Sequence, residues 1–205
     1  VVVAGGGTAG SVAAIAAARA GAKVLCIDQF GGLGGTSTFA LVTPLMGFKI
    51  GDRWLVRGLN EEIITRLEKA GSDGIYHDPE ALKFVLEQMA AEAGVELLYY
   101  TLVCGASVEE GRLRAITVAN KAGLDEVSAE IFVDATGDAD VAFFAGCPTM
   151  SGRPEDGLNQ SASLRFIAAG VNLHALAKFL KQHGVNVSPP RFGFGVARGA
   201  SKHEW

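Results

Sequence analysis

Cysteine is scarce and scattered. The 205-residue chain holds three, Cys26, Cys104 and Cys147. They form no C-x-x-C pair and no metal-ligand spacing, which excludes a paired-thiol or metal-binding framework. Buried small hydrophobes in a reducing compartment are the expectation, and with it a cytoplasmic location. A basic excess is also missing. Lys and Arg number 18 against 22 Asp and Glu, for a net charge of −4, and no long basic run occurs. That argues against nucleic acid as a partner. No apolar stretch reaches membrane-spanning length, because Gly and charged residues interrupt every run. There is no internal repeat. The sequence starts at Val1 rather than Met, directly on an apolar run, so the lack of a leader carries little weight. What is present is 49% hydrophobic residues, ample for the core of one large domain or two small ones.

The first thirty residues are the most informative. Val1-Val2-Val3-Ala4 leads into Gly5-Gly6-Gly7-Thr8-Ala9-Gly10, a G-x-G-x-x-G on Gly5, Gly7 and Gly10. An alanine-rich stretch follows to Ala20, and Gly21 turns the chain into Val24-Leu25-Cys26-Ile27, which ends on Asp28. Strand, glycine turn, helix, strand and terminal acid have the size and order of a dinucleotide-binding βαβ unit. Gly5 permits a tight turn, Gly7 a close approach to a pyrophosphate, and Gly10 close helix packing. The helix begins inside the motif, so its free amides and positive end face the phosphates. Asp28 sits where a carboxylate accepts a ribose diol. The competing reading is a glycine-rich turn with a surface aspartate.

A second glycine loop, Gly31 to Thr38, suits phosphate or sugar oxygens, the alternative being a flexible loop. Residues 39–57 are apolar and irregular. Asn60 reads as the cap of a helix with Ile63, Ile64 and Leu67 on one face, ended by Gly71. Asp78-Pro79 opens a further helix with Leu82, Val85, Leu86, Met89 and Ala90 as its buried stripe, closed by Gly94. A strand over 95–103 is expected to extend the parallel sheet. Residues 107–133 read as an antiparallel meander with turns at 109–112 and 120–123. Its last strand runs into Asp134-Ala135-Thr136-Gly137-Asp138 and a short helix over 139–145. Asp138 fits either that helix's cap or a ligand contact, and Asp134 reads as structural. Further on, 153–157 is a polar loop, 161–167 a possible strand and 173–182 a helix. The tail with Pro189-Pro190, Gly193, Gly195 and Gly199 has no clear periodicity.

Taken together, G-G-G-T-A-G, the acid, G-G-L-G-G-T, H-D-P-E-A-L-K and D-A-T-G-D resemble the FAD-dependent oxidoreductases of the glutathione-reductase-like Rossmann superfamily, over residues 1 to about 170. The resemblance implies an α/β fold: a Rossmann-like parallel sheet, an antiparallel β-meander and the start of a substrate domain. It divides the chain into an FAD-binding domain at 1–150, with 41–75 an inserted cap or substrate-side segment, and a partial substrate domain at 151–205. It also implies site roles. Gly5, Gly7, Thr8, Ala9 and Gly10 would form the pyrophosphate turn. Asp28 would bind the adenosine ribose with Gln29 beside it. Gly34, Gly35, Thr36 and Ser37 would contact the pyrophosphate and ribityl side. Val103, ending the strand after the second helix, would meet the adenine edge through its backbone. Ala135, Thr136 and Gly137 would pass close to the nucleotide, with Asp138 nearby.

The sequence departs from that superfamily in two respects. No Gly-Asp segment of the kind that meets the flavin occurs after residue 150, so the chain reads as an N-terminal part of a longer flavoenzyme. The redox-active cysteine pair of the disulfide reductases is absent. Because flavin carries the hydride chemistry itself, a catalytic acid or base need leave no motif, and none is assigned. His77 reads as a loop residue, His174 and His183 as solvent-facing, and His203 as part of the tail. Arg57 and Arg165 could bind an acidic substrate or be solvated charges. The expected function is FAD binding for hydride transfer with an unknown small molecule. An NAD-dependent dehydrogenase and a nucleotide-binding module without turnover are the alternatives, and the oligomeric state is open.

Overall fold

A computed structural model describes residues 1–51 and 53–184. The expectations for the Pro189–Gly199 tail and for His203 lie outside the described residues. The chain opens with β1 (Val2–Ala4), α1 (Thr8–Arg19) and β2 (Leu25–Ile27). A short hairpin, β3 (Lys49–Ile50) and β4 (Arg53–Trp54), precedes α2 (Leu59–Lys69) and α3 (Pro79–Ala93). Then come β5 (Glu96–Leu98), β6 (Leu102–Glu109), β7 (Arg112–Asn120), β8 (Gly123–Ser128) and β9 (Phe132–Asp134). Two helices follow, α4 (Asp140–Phe144) and α5 (Leu173–Gln182).

Four strands form a parallel sheet in the order β5-β2-β1-β9. A second, antiparallel sheet runs β6-β7-β8. Successive strand residues point to opposite faces, and this alternation builds three layers. Val3 and Cys26 face one way, into a cluster with Ile15 of α1, Leu67 of α2 and Val85, Leu86 and Met89 of α3. Val2, Ala4 and Ile27 face the other way, against Val103, Ile116 and Val118 of the meander and Val141 of α4. Each fully buried Val, Ile, Leu or Met side chain contributes roughly 1.5–3 kcal/mol. Both clusters flank β1, so the glycine turn that leaves β1 is held from two sides.

The helix α3 forms as its sequence predicts. Asp78 Oδ1 accepts the amides of Glu80 (2.7 Å) and Ala81 (3.1 Å), Pro79 is the first helical residue, and Gly94 closes the helix at φ +78°. Other expectations need correction. α1 begins at Thr8, within the glycine motif as expected, but α2 is capped by Gly58 rather than Asn60. The predicted strand over 95–103 is two strands. β5 ends at Leu98, Tyr100 adopts φ +52°, and β6 starts at Leu102 in the other sheet. Val103 therefore belongs to the meander, paired with Val118. The predicted extension over 125–133 divides similarly. β8 completes the meander, and β9 returns to the parallel sheet beside β1. Residues 161–167 form no strand.

Candidate functional site

The two glycine loops are tied together at the C-terminal edge of the parallel sheet. The Gly5 amide donates to the Ile27 carbonyl (2.8 Å), and the Gly34 amide donates to the Gly6 carbonyl (2.8 Å). The Thr8 hydroxyl donates to the Gly34 carbonyl (2.9 Å) and lies 3.0 Å from Ser37 Oγ. A hydroxyl has one proton. Thr8 uses its own on Gly34, so Ser37 donates to Thr8. Residues Gly35–Ser37 form a single 3-10 turn.

The three motif glycines have different reasons to be glycine. Gly5 sits at φ +96°, and a side chain there would overlap the Ala135 carbonyl. A Cβ on Gly10 would overlap the Gly5 carbonyl. Both are demanded by the protein's own packing. Gly7 is not. It has φ −62°, and the nearest atom to an added Cβ is Gly35 Cα at 4.0 Å. The protein leaves room for a methyl group at the one motif position where a ligand backbone approach is expected.

That position opens on a cleft of about 610 Å³. Gly5, Gly7, Thr8, Ala9, Asp28, Gln29, Gly35, Thr36, Val103, Ala135, Thr136 and Gly137, all singled out in the sequence, line it together. No side chain caps α1, so its first-turn amides and positive end are directed at the cleft without a protein partner of that kind. Asp28 is 8% exposed. Its Oδ2 accepts the Gly6 amide (2.6 Å) and its Oδ1 the Phe30 amide (2.7 Å). Each carboxylate oxygen keeps a further lone pair. Among the described residues, a terminal acid, an uncapped helix and a glycine cradle thus meet in one cleft. That is the donor and acceptor set a dinucleotide needs, and the residues fit the group.

Four expected residues lie elsewhere. Gly10, Gly34 and Ser37 stand behind the cleft wall and shape it. Asp138 is exposed beyond it and does not cap the short helix; Ala139, at φ +60°, occupies that place. The helix is instead held by Thr136, whose Oγ1 accepts the Asp140 amide (2.8 Å), and by Asp134, whose Oδ2 accepts the Ala142 amide (2.9 Å). Asp140, not Asp138, reaches the cleft lining. Sequence reasoning also missed Phe30, Phe39, Thr101 and Leu102, which line the same cleft. Phe30 and Phe39 stack at 4.7 Å between centroids, and Lys83 Nζ lies 4.3 Å from the Phe39 ring centre. Phe30 follows Asp28 by two residues and was findable by spacing. Phe39 comes from the irregular segment, where no pattern marks it.

His77 also departs from expectation. It is 2% exposed, and its Nε2 lies 3.0 Å from the Ser37 carbonyl. Burial holds its pKa below the usual histidine range, against the carbonyls of Ser37 and Ile75 and the Asp78 carboxylate, which favour the charged ring. The Ile75 carbonyl acts electrostatically; Nδ1 makes no hydrogen bond. The ring is therefore neutral near pH 7, with Nε2–H donating to Ser37. His174 and His183 are exposed, as expected. Arg57 pairs with Glu61 at 3.7 Å, and Arg165 is exposed. Cys26 is buried in β2, where burial and then the Asp28 carboxylate push its thiol up to about 12. Such a thiol is inert.

A wider, shallower groove of about 700 Å³ runs between α2 and α3. Apart from Lys69, its charged groups are engaged in ion pairs. Glu62 pairs with Arg19 (2.6 Å) and Arg66 (2.8 Å), and Arg66 pairs with Glu92 (2.6 Å). This network joins three helices and offers no free reactive group of its own. No group of His, Cys, Asp or Glu suited to a metal ion occurs among the described residues. No described helix is long and apolar enough to cross a membrane.

Comparison with known proteins agrees with the geometry. Two curated relatives are the digeranylgeranylglycerophospholipid reductases 1 and 2 of Methanopyrus kandleri. The first is 31% identical over 153 residues, covering 67% of this chain and 39% of that protein. The second is 32% identical over 149 residues, covering 67% and 37%. The chain thus spans well under half the length of either. Among solved structures, THI4 of Thermovibrio ammonificans superposes with a TM-score of 0.51 at 19% identity, covering 74% of this chain and 65% of that one, which shows a shared fold. The family model described as FAD dependent oxidoreductase matches residues 1–201. By that match the chain belongs to the FAD dependent oxidoreductase family, whose cofactor is FAD.

Proposed function

We propose that the cleft holds the adenosine and pyrophosphate half of FAD, and that the protein of which these residues form the nucleotide-binding part transfers hydride between flavin and a small-molecule substrate. The observation that carries this reading is Gly7, a glycine that faces the cleft without steric need of its own. The Gly7-Thr8-Ala9 turn at the start of α1 would receive the pyrophosphate. Asp28 would accept the ribose hydroxyls on its remaining lone pairs, with Gln29 beside it. Gly35 and Thr36 would face the phosphate and ribityl side. Val103 would border the adenine, and Ala135, Thr136 and Gly137 would leave only small groups along the nucleotide.

When bound, FAD supplies the hydride chemistry. The chain's own residues bind and orient it. Residues 41–75 would lie on the substrate side and 151–205 would begin the substrate domain. A cytoplasmic location without nucleic-acid partners fits the composition. The two curated relatives are named reductases, which favours reduction of the substrate over its oxidation. The family match favours FAD over the nicotinamide alternative.

The test is anaerobic. The protein is loaded with FAD, the flavin is reduced chemically, and unsaturated and carbonyl compounds are added while flavin absorbance is followed. Reoxidation by one compound class supports the oxidoreductase reading. Tight FAD binding with no reoxidation by any class favours a nucleotide-binding module without turnover.

A further inference from the structure

His77 lies outside the cleft lining, yet it touches the loop that shapes the cleft. Its Nε2 meets the carbonyl of Ser37 at 3.0 Å. Ser37 in turn donates its hydroxyl to Thr8, and Thr8 donates to Gly34. A chain of hydrogen bonds thus runs from the residue before the α3 cap, through the 3-10 turn, to the first residue of α1. Ser37 is buried, and Thr38 beside it is fully enclosed, with its hydroxyl donating to the Leu33 carbonyl (2.9 Å). Without His77, the Ser37 carbonyl would be a buried acceptor with no donor. A group in that state costs stability or moves to find water.

We propose that His77 is a positioning residue for cofactor binding: through the Ser37 carbonyl it holds the Gly35–Ser37 turn against Thr8, so that both glycine loops present their backbone to FAD together. The claim rests on the reading that this cleft holds FAD. His77 touches no ligand in this account. Its neighbours explain why it is suited to the task. Asp78 beside it is committed elsewhere: its carboxylate accepts the Glu80 and Ala81 amides, and its own amide donates to Ser72 Oγ (2.9 Å). The ring is the donor left to serve Ser37. The same segment is anchored further by the Leu45 amide on the Ile75 carbonyl (2.9 Å) and by the bridge between Pro44 and Tyr76. His77 therefore also links residues 44–45 to the nucleotide turn.

Protonation tests the link from a second direction. An imidazolium is poorly accommodated at this depth, where burial outweighs the Asp78 carboxylate and the Ser37 and Ile75 carbonyls. As pH falls below the ordinary histidine range, the charged ring is driven from its site and the turn loses its brace. FAD affinity of the wild type is expected to fall only as pH drops below that range and the ring gains its proton. His77→Gln carries an amide N–H able to reach the Ser37 carbonyl and has no proton to gain, so its affinity stays level.

The experiment titrates FAD into wild type, His77→Gln, His77→Leu and Asp28→Ala at pH 7.5, then repeats wild type and His77→Gln at falling pH through the interval in which ring NMR shows His77 gaining its proton. Melting temperatures are taken without ligand. The expected result is at least a tenfold loss of affinity in His77→Leu, with His77→Gln within about threefold of wild type at pH 7.5. Equal affinity in wild type and His77→Leu overturns the proposal, as does a His77→Gln variant no better than His77→Leu. If His77→Leu does not fold, the pH series decides: parallel wild-type and His77→Gln profiles overturn it, and loss confined to wild type supports it. Wild type that shows no saturable FAD binding would instead refute the cofactor site itself, whereas an Asp28→Ala variant that binds as tightly as wild type would refute only the ribose assignment.

Discussion

Asp28 Oδ2 accepts the backbone amide of Gly6 at 2.6 Å, so the acid at the tip of β2 braces the glycine turn beside the cleft that both border. The pair gives Asp28 an internal job, and the proposed function adds a second one toward a ribose. Replacing it affects both, and the two effects are separable. In ligand-free Asp28→Ala the buried Gly6 amide loses its acceptor, which costs about 1–3 kcal/mol. Urea denaturation of the ligand-free protein measures that loss. FAD affinity should fall about tenfold or more beyond it, since hydrogen bonds to a charged acceptor are worth roughly 1.5–3 kcal/mol each. A stability loss with unchanged affinity would leave Asp28 as a brace alone.

Gly7 and Gly10 should separate binding from folding. Gly7→Ala meets nothing closer than 4.0 Å at an ordinary φ, so the ligand-free melting temperature should hardly move while FAD affinity drops at least about tenfold. Gly10→Ala drives a methyl group into the Gly5 carbonyl, and overpacking of this kind costs about 1–3 kcal/mol or more. Its ligand-free stability should fall first. Calorimetry and FAD titration on the two variants give the comparison. The reverse pattern would mean that Gly7 serves the fold.

This division between glycines marks the limit of what the sequence carries. The turn, α1, β2 and the α3 caps follow local rules: alternating apolar residues, a 3.6-residue stripe, and Asp-Pro before and Gly after a helix. They were legible because each rule spans only a few neighbours. Which sheet a strand joins is not local. Residues 95–103 and 125–133 each read as one extended run, yet the break at Tyr100 sends Val103 to the meander, and β9 leaves it for β1. Pairing across the chain decided those places. The depth of His77 was equally invisible, because a single histidine before a helix cap has no periodicity to announce a buried face. Asp138 and Asp140 lie two residues apart, and only the αL turn at Ala139 determines which of them reaches the cleft.

The helix-joining network predicts an acid-sensitive stability. Hydrogen bonds from Arg19, then from Arg66, hold the Glu62 carboxyl down at about 2. A carboxyl depressed in the folded state contributes fully above its unfolded value, near 4.3, and loses that contribution as pH falls toward 2. Glu62 is partly exposed, so solvent screening limits the gain to about 1 kcal/mol. Glu62→Gln should be less stable than wild type at pH 7 by up to about that amount. The gap should narrow steadily between pH 5 and 3 in urea denaturation series. A gap that stays constant with pH would locate the effect in packing instead.

The cysteines should prove chemically quiet with respect to turnover. Cys26 is buried with its thiol pushed up to about 12, Cys104 is half-buried with its Sγ 3.6 Å from the Thr117 carbonyl, and Cys147 is exposed. A thiol-specific reagent at pH 8 should modify Cys147 first and leave Cys26 untouched in the folded protein. FAD affinity should be the same before and after modification of Cys147. Rapid labelling of Cys26 would mean that the β1–β2 core opens readily.

The most direct measurement is a titration of FAD into the ligand-free protein, followed by displacement with ADP. The cleft's described lining supplies an uncapped helix end, a carboxylate at the tip of β2 and a glycine cradle, which the proposed function assigns to the adenosine and pyrophosphate half. The expected result is saturable FAD binding at one site, competed fully by ADP at similar affinity and weakened in Gly7→Ala. FAD binding that ADP does not displace, or that survives Gly7→Ala unchanged, would contradict the assignment of this cleft.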